Sequence, residues 1–244
     1  YGGIGGPYGY GTALGFFAYP KQVALDGYGA LYVADYGNSR IVRRDPITGL
    51  FTVAAAVSSP WGVAVDDAGR LYVSSWADNT IKVYQNGIYI NSWSGTGTPG
   101  GRLNKPADLK LGTYEGQSAL YVADCGNNKV QIFSTTGEFL GQLGDSDIDP
   151  LGNYDQNKAD GGMLLPYGIA IDGTGNIIVS DTSHKCIRIY SQAGELLETW
   201  GSMSNTPGNF FSPMGCDVNQ QTGRLYIADG VLERVQYFDK ILGE

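Results

Sequence analysis

The sequence predicts an all-β protein built from five copies of one repeat, on three observations. A proline opens each copy, and a short strand that ends in Asp or Ser follows it. A β-branched residue stands six positions after that Asp or Ser in every copy. Apolar runs of β-branched and aromatic residues between Asp- and Gly-containing turns are typical of strands. No apolar periodicity of 3.6 residues persists, so helices are not expected.

The five copies keep the same order of elements. The opening prolines are Pro20, Pro60, Pro106, Pro166 and Pro213. The second strands begin at Leu31, Leu71, Leu120, Ile177 and Leu225, with spacings of 40, 49, 57 and 48 residues. A period of about 40–50 residues with three or four strands per copy is the propeller range. We therefore expect one domain over residues 1–244, a ring of four-stranded sheets.

The second copy, residues 60–84, shows the elements most clearly. Residues 63–65 form a short apolar strand, and the turn at 66–69 contains Asp, which caps its own backbone, and Gly. Residues 71–75 form the second strand, a polar turn follows, and residues 81–84 alternate as a half-buried strand does. The third copy differs by two insertions, at residues 113–119 and 145–165.

The two ends of the chain resemble the halves of one fourth strand. Residues 240–244 followed by residues 1–2 read like residues 195–201, with no residue missing. We expect one blade to be completed by both ends, which would remove exposed strand edges. Two alternatives remain open at this point. The ends could be cuts in a longer repetitive protein, or a neighbouring chain could complete the split strand.

These units resemble NHL repeats, in which Pro, an apolar strand, a Gly turn, Leu-Tyr-Val-Ala-Asp and Asn-x-Arg/Lys-Ile/Val follow one another. The best matches are residues 60–83, 166–189 and 31–41. The resemblance implies a β-propeller whose first strands line a central channel and whose fourth strands are outermost. Many members have six blades, but five units predict five here, with six as the alternative. The family includes protein- and RNA-binding modules, kinase sensor domains and a lyase, so it does not fix a function.

One face of the expected ring collects large side chains. Strand alternation places the links between blades and the turns between second and third strands on that face. The candidate binding residues there are Lys21, Tyr36, Trp61, Trp76, Tyr167 and Met214. Aromatic residues around a channel mouth suit a ligand or partner surface. The alternative is that these rings only pack between blades.

The repeated carboxylates at the strand ends are expected to be structural. Asp35, Asp124, Asp181 and Asp229 end the same strand in four copies, and a residue needed once per blade suits a turn that accepts backbone N–H bonds. His184 is the only histidine, so the histidine-coordinated metal of the lyase branch cannot be assembled from several His ligands. We expect a solvated turn residue there. A divalent metal held by carboxylate and Asn groups in the channel, as in lactonase-like propellers, remains open.

An acidic loop offers a candidate calcium site. Asp145, Asp147 and Asp149 have the 1, 3, 5 spacing of a calcium-binding loop. The loop departs from that pattern at Pro150, where Gly is needed, and at Gln156, where a bidentate Glu is needed. We therefore expect the loop to be a solvated polar insertion, with a Ca²⁺ site as the alternative.

The three cysteines, Cys125, Cys186 and Cys216, are an odd number without a CxxC motif. We expect buried free thiols, because Cys is among the residue types most often buried. A bridge between Cys186 and Cys216 is the alternative.

Charge and hydropathy exclude some classes of function. The net charge is −8, with 16 basic residues scattered among 24 acidic ones, which disfavours nucleic acid as a partner. No run of about 18 apolar residues occurs, so no membrane span is expected. We expect a non-catalytic module that binds a protein or a small extracellular ligand, without a cofactor, outside the cell or at its surface. The alternatives are a metal-dependent lyase or hydrolase with a channel-mouth site, and a self-associating structural subunit.

Overall fold

The structure, a computed structural model, describes residues 11–94, 101–144 and 162–239. Over these residues the chain forms nineteen strands in five antiparallel sheets and two single 3₁₀ turns, Tyr36–Asn38 and Cys125–Asn127. The sheets stand in a ring, so the protein is a five-bladed β-propeller. This confirms the five blades that the repeats predict, and the alternative of six blades is not observed over the described residues.

Each blade is one copy of the repeat, with its strands in chain order across the sheet. Blades 1 and 2 consist of β1 (Pro20–Leu25), β2 (Leu31–Asp35), β3 (Arg40–Arg44), β4 (Phe51–Ala56), β5 (Pro60–Val65), β6 (Arg70–Ser75), β7 (Thr80–Gln85) and β8 (Ile88–Trp93). Blades 3 to 5 consist of β9 (Pro106–Tyr114), β10 (Gln117–Asp124), β11 (Lys129–Ser134), β12 (Phe139–Leu143), β13 (Pro166–Ile171), β14 (Ile177–Asp181), β15 (Cys186–Tyr190), β16 (Leu196–Trp200), β17 (Pro213–Val218), β18 (Leu225–Asp229) and β19 (Arg234–Phe238).

The opening proline of each blade pairs with the residue that ends the second strand. Pro20 lies opposite Asp35, and Pro60 lies opposite Ser75. The register shifts directly after each of these pairs, and the same irregularity recurs in all five blades. Because proline lacks the N–H that a ladder needs, it stands where regular pairing begins. The repeated motif therefore fixes where every inner strand starts.

The core lies between blades, in four clusters of buried apolar residues. Two neighbouring sheets supply one face each, as when Tyr72 and Ile81 of blade 2 share a cluster with Leu109 and Leu120 of blade 3. The link that enters each blade adds a side chain three residues before the proline. In blades 2 to 5 these side chains are nearly fully buried, and they are Val57, Leu103, Met163 and Phe210.

Two sequence predictions fall on residues outside the described ranges. The described part of blade 5 has three strands, and residues 240–244 and 1–2, expected to share its fourth strand, lie outside the described residues. Asp145, Asp147 and Asp149 of the acidic loop lie outside them as well. Both stay predictions.

All three cysteines are free and buried, as expected, and the alternative bridge between Cys186 and Cys216 is absent. The Cys125 thiol donates to the Pro166 carbonyl oxygen over 2.8 Å. Burial raises the pKa of Cys186 to about 12. The three thiols are therefore core side chains, and that of Cys125 links blade 3 to blade 4.

Candidate functional site at the channel mouth

The carboxylates at the strand ends shape the mouth of the channel by holding the loops that border it. Asp35 accepts the Ala18 N–H over 2.7 Å and a charged hydrogen bond from Arg40 Nε over 2.7 Å. Asp229 accepts the N–H groups of Phe211 and Ser212 over 2.9 and 3.0 Å. The bonds from Ala18, Phe211 and Ser212 each join the second strand to the link that enters the same blade, whereas the bond from Arg40 joins it to the third strand. The structural role expected from the repetition is confirmed.

His184 is part of one of these loops. Its Nδ1 lies 2.8 Å from an Asp181 carboxylate oxygen, and the same oxygen accepts Arg188 Nε over 2.7 Å. The ring is about one-quarter exposed, so it is less solvated than the sequence suggests. His184 therefore belongs to the turn of blade 4.

Three aromatic rings form a stack at the mouth, which we call the aromatic stack: Trp61, Trp76 and Tyr167. The Trp61 and Trp76 centroids are 4.3 Å apart with an interplanar angle of 23°. The Trp61 and Tyr167 centroids are 5.4 Å apart at 28°, and Trp76 and Tyr167 are 6.2 Å apart at 8°. Tyr36 meets Trp61 edge-on at 5.7 Å and 82°. Four of the six predicted residues thus meet in one cluster, and all four remain partly exposed.

The stack crosses blade 3, because the corresponding residues of blade 3 are small. Trp61 and Trp76 come from blade 2, whereas Tyr167 comes from blade 4. At the equivalent positions blade 3 carries Ala107 and Cys125, which are fully buried. The rings of blades 2 and 4 therefore contact each other above blade 3.

Two ammonium groups flank the rings. Lys21 Nζ lies 4.4 Å from the Trp61 centroid and 5.1 Å from the Tyr36 centroid. Lys105 Nζ lies 5.9 Å from the Trp76 centroid. Burial lowers the pKa of Lys21. Lys21 was predicted from the sequence and Lys105 was not, although it stands immediately before the opening proline of blade 3.

A cavity of about 330 Å³ lies beside the stack. Its lining includes Lys21, Trp61, Tyr167 and Met214. Met214, the sixth predicted residue, thus borders the same cavity as Trp61 and Tyr167 of the stack. Gly215 and Gly230 of blade 5 also border this space, so their lack of side chains keeps it open.

Asp108 lies at the floor of this cavity and was missed from the sequence. It accepts hydrogen bonds from Gln22 Nε2, from the Leu109 N–H over 2.7 Å and from the Ile169 N–H over 2.9 Å. Burial raises the pKa of Asp108 to about 6. Asp108 stands two residues after its proline, where three other blades have glycine, and this departure was the signal available.

An ion pair crosses the channel below Asp108. Lys110 Nζ of blade 3 lies 3.0 Å from Asp217 Oδ1 of blade 5. Burial acts to lower the pKa of Lys110, but the nearby carboxylates of Asp108 and Asp217 raise it on balance. Lys110 therefore remains protonated between two carboxylates. The channel thus has an aromatic, lysine-flanked mouth and an ionic interior.

Within residues 11–94, 101–144 and 162–239, no group of three or more His, Cys, Asp and Glu side chains is placed to hold a metal ion. In the same ranges no helix is long and apolar enough to cross a membrane.

No protein-family model matches the chain. Two curated proteins are similar in sequence. The chain is 28% identical to brain tumor protein of Drosophila melanogaster over 159 residues, which is 64% of this chain and 13% of that protein. It is 24% identical to NHL repeat-containing protein 3 of Homo sapiens over 199 residues, 75% of this chain and 52% of that protein. The chain thus spans about half or less of the length of these relatives.

Solved structures with the same fold have low sequence identity. A catalytically inactive virginiamycin B lyase from Staphylococcus aureus with quinupristin is 15% identical, with a TM-score of 0.63 over 89% of this chain and 66% of that one. An auxiliary nutrient binding protein from Bacteroides thetaiotaomicron is 13% identical, with a TM-score of 0.66 over 92% and 60%. These similarities support the fold alone. The repeat motif, the five blades and the similarity to the two curated proteins together support an NHL-repeat type of β-propeller.

Proposed function

We propose that this propeller is a non-catalytic binding module whose ligand docks at the channel mouth. The aromatic stack carries the proposal, because its three rings are ordered against one another yet partly exposed beside an open cavity. The core aromatics Tyr72 and Tyr121, in contrast, are almost fully buried. Rigid, partly exposed aromatic residues supply much of the binding energy at protein interfaces.

The surroundings of the stack suggest the chemistry of the ligand. A flat apolar group would extend the stacked faces of Trp61 and Tyr167. An acidic group beside it would meet Lys21 and Lys105, which already lie over the rings. We infer a ligand with an aromatic ring next to a carboxylate, carried by a partner protein or by a small extracellular molecule.

The contacts of Asp108 support binding over catalysis. Asp108 has the raised pKa expected of an acid–base group in a cavity. However, its oxygens already accept hydrogen bonds from Gln22, Leu109 and Ile169. A metal-dependent lyase or hydrolase, the main alternative, would need this carboxylate to exchange those partners for a substrate or ion. We therefore assign Asp108 to holding the inner strands together.

We also propose an extracellular or cell-surface location. The excess of 24 acidic over 16 basic residues and the 37 glycines and 17 tyrosines support it. Surface labelling of intact cells that produce an epitope-tagged protein tests this proposal. Recovery of the tag only after the cells are lysed would contradict it.

Ligand-detected saturation-transfer NMR with two capped dipeptides, Tyr-Glu and Tyr-Lys, tests the binding proposal. We expect transfer to the tyrosine ring of Tyr-Glu and a weaker effect for Tyr-Lys. The Trp61→Leu variant should lose the transfer. The matched control Tyr28→Leu, which alters an exposed ring away from the mouth, should retain it. Equal transfer to both dipeptides, or equal transfer with Trp61→Leu, would count against the proposal.

A further inference from the structure

A second cavity lies between blades 1 and 2, on the face opposite the channel mouth. Its volume is about 450 Å³. Blade 1 contributes Asp26 from the turn that follows β1, Tyr32 of β2 and Arg43 of β3. Blade 2 contributes Tyr84 of β7 and the turn at residues 86–87. Two features of the blade 1 lining depart from the repeat, and each one supplies a polar group at this cavity.

The first departure is Arg43, which occupies a position that is core in three other blades. Arg43 lies opposite Tyr32 in the register of β2 and β3. The equivalent pairs are nearly fully buried and have an aliphatic second member, namely Tyr72 with Val83, Tyr121 with Ile132 and Ile178 with Ile189. Tyr32 and Arg43 are both only partly buried. A charged group thus stands where the repeat elsewhere packs one blade against the next.

The second departure concerns the hydrogen bonds of Asp26. In blade 2, Arg70 Nε donates to the second oxygen of the equivalent turn residue, Asp66, over 2.7 Å, and blade 4 uses an Asn in the same way. Ala30 holds this position in blade 1, so only its backbone N–H donates, and it donates to Asp26 Oδ1. Over the described residues, Asp26 Oδ2 accepts one long bond, from the Tyr32 hydroxyl at 3.4 Å. Asp26 Oδ2 therefore retains capacity to accept a hydrogen bond from a ligand.

The contacts of Arg43 hold its side chain beside the cavity. Its Nη1 donates to Asp45 Oδ2 over 3.3 Å, and the guanidinium carbon lies 6.0 Å from the Tyr32 ring centroid. A guanidinium has five N–H donors in a fixed fork, so these contacts leave donors for a further partner. The side chain is about one-third exposed. Arg43 thus combines a fixed position with remaining hydrogen-bonding capacity.

Tyrosine rings supply the apolar part of the lining. Tyr84 is nearly fully buried, and its hydroxyl donates to the Ala56 carbonyl oxygen over 2.9 Å, which fixes the ring. Tyr28 also lines the cavity and is 87% exposed, so it lies at the rim. Asn86 adds a side-chain amide. Aromatic rings offer flat apolar faces beside these polar groups.

The charges of the lining favour a neutral ligand. One carboxylate, that of Asp26, and one guanidinium, that of Arg43, border the cavity. Asp45 bonds to Arg43 and adds negative charge nearby, so an anionic ligand would be repelled. A hydroxyl can both donate to Asp26 and accept from Arg43, because it is donor and acceptor at once. Several hydroxyls on a ring with an apolar C–H face therefore match the two charged groups and the tyrosine rings.

We propose that the cavity between blades 1 and 2 binds a neutral hexose through Asp26 and Arg43. The two charged groups orient the hydroxyls of the sugar, and the tyrosine rings contact its C–H face. The volume of about 450 Å³ lies in the range of about 300–1,000 Å³ that is usual for small-molecule sites. This site is separate from the channel mouth and does not depend on the ligand proposed there. The propeller thus has ligand sites on two opposite faces.

Saturation-transfer NMR with the full chain tests the proposal, with the methyl glycosides of glucose, galactose and mannose as probes. We expect transfer to the ring protons of at least one of them. The methyl glycoside of the corresponding uronic acid should show weaker transfer, because its carboxylate is repelled by Asp26 and Asp45. Titration of the best neutral glycoside then gives its Kd.

Two substitutions borrow residues that the chain uses at the same positions of other blades. Arg43→Ile introduces the residue type found in blades 3 and 4, and Asp26→Asn introduces that of Asn219 in blade 5. Each should raise the Kd of the glycoside at least about tenfold, since a hydrogen bond to a charged group is lost. Arg43→Ile should not lower the melting temperature. Asp26→Asn should keep its turn, because Asn219 Oδ1 accepts the backbone N–H groups of its own turn.

The matched control is Asp172→Asn, which makes the same change at the equivalent turn of blade 4 and should bind the glycoside like the wild type. Arg43→Ile and Asp26→Asn should both leave the transfer to Tyr-Glu at the mouth unchanged, so the two proposals fail separately. No transfer to any of the neutral glycosides would overturn the hexose site. Undiminished affinity in Arg43→Ile or in Asp26→Asn, or an equal loss in Asp172→Asn, would overturn it as well.

Discussion

Trp61 of blade 2 and Tyr167 of blade 4 stack with their ring centroids 5.4 Å apart, although the inner strand of blade 3 lies between their strands. Blade 3 permits this contact because Ala107 occupies its equivalent position and is fully buried. Blades that are not neighbours are thus joined at the channel mouth. The same contact orders the surface that we propose as the binding site.

Replacing Trp61 should weaken the fold as well as binding. Trp61→Leu removes ring contacts with Trp76, Tyr167 and Tyr36, and each aromatic pair contributes about 0.5–1.5 kcal/mol. We expect the free energy of unfolding in urea to fall by about 1–3 kcal/mol. Tyr28→Leu, at an exposed ring, should change it by less than about 0.5 kcal/mol. Equal effects for both would show that the stack adds no stability.

Two glycines at one repeat position should differ in their tolerance of alanine. Gly62→Ala places a Cβ 2.5 Å from the Ala107 carbonyl oxygen, so blades 2 and 3 must separate. We expect a loss of about 1–3 kcal/mol in thermal or urea unfolding. Gly215→Ala, which meets nothing within 4 Å, should be nearly neutral in the monomer. Equal losses would mean that blades 5 and 1 are also in close contact.

Asp108 should make stability fall as pH rises. Its pKa is raised from 3.8 to about 6, mainly by burial, so the folded state binds more protons than the unfolded state between these values. The contribution of Asp108 to the free energy of unfolding is therefore most favourable below about pH 4 and is lost by about pH 6. The free energy of unfolding should fall by about 3 kcal/mol over this range. Asp108→Asn should remove this dependence when unfolding is measured from pH 4 to 7. If the free energies of unfolding of Asp108→Asn and wild type differed by the same amount at every pH, the prediction would be wrong.

Removing a strand-end carboxylate should be costly. Asp35→Ala leaves the Ala18 N–H without its acceptor and the largely buried Arg40 without its carboxylate. We expect the free energy of unfolding to drop by about 3 kcal/mol. Asp67→Ala, at an exposed turn residue of blade 2, is the matched control and should be nearly silent. A small effect at Asp35 would mean that the loop has other sufficient contacts.

The three thiols should be unreactive in the native protein. Cys125, Cys186 and Cys216 are buried, and burial raises the pKa of each, so little thiolate forms at neutral pH. A chromogenic disulfide reagent should label none of them within minutes under native conditions and all three in denaturant. Rapid native labelling would indicate that blades open readily.

The repeat motif made most of the fold predictable. Local features of the repeat determine where its strands begin and end: the prolines, the strand-end Asp residues and the fixed spacing after them. Five copies of the repeat therefore predicted five sheets. The same alternation placed Tyr36, Trp61, Trp76 and Tyr167 on one face. Asp108 was missed because it departs from the repeat, and Lys105 was missed because its position varies from copy to copy. The importance of both depends on neighbours that are remote in sequence.

By itself the sequence determined the blades, their number and the face that carries the aromatic residues, because strand period and turn chemistry act over a few residues. Only the tertiary structure decided which rings meet, that Gln22 and Ile169 hold Asp108 across the channel, and that Val235 is exposed while Ile187 is buried. These features depend on how each blade meets the next. Neighbouring sheets bury equivalent residues at four interfaces and leave them open at the fifth, and no local pattern distinguishes the two cases.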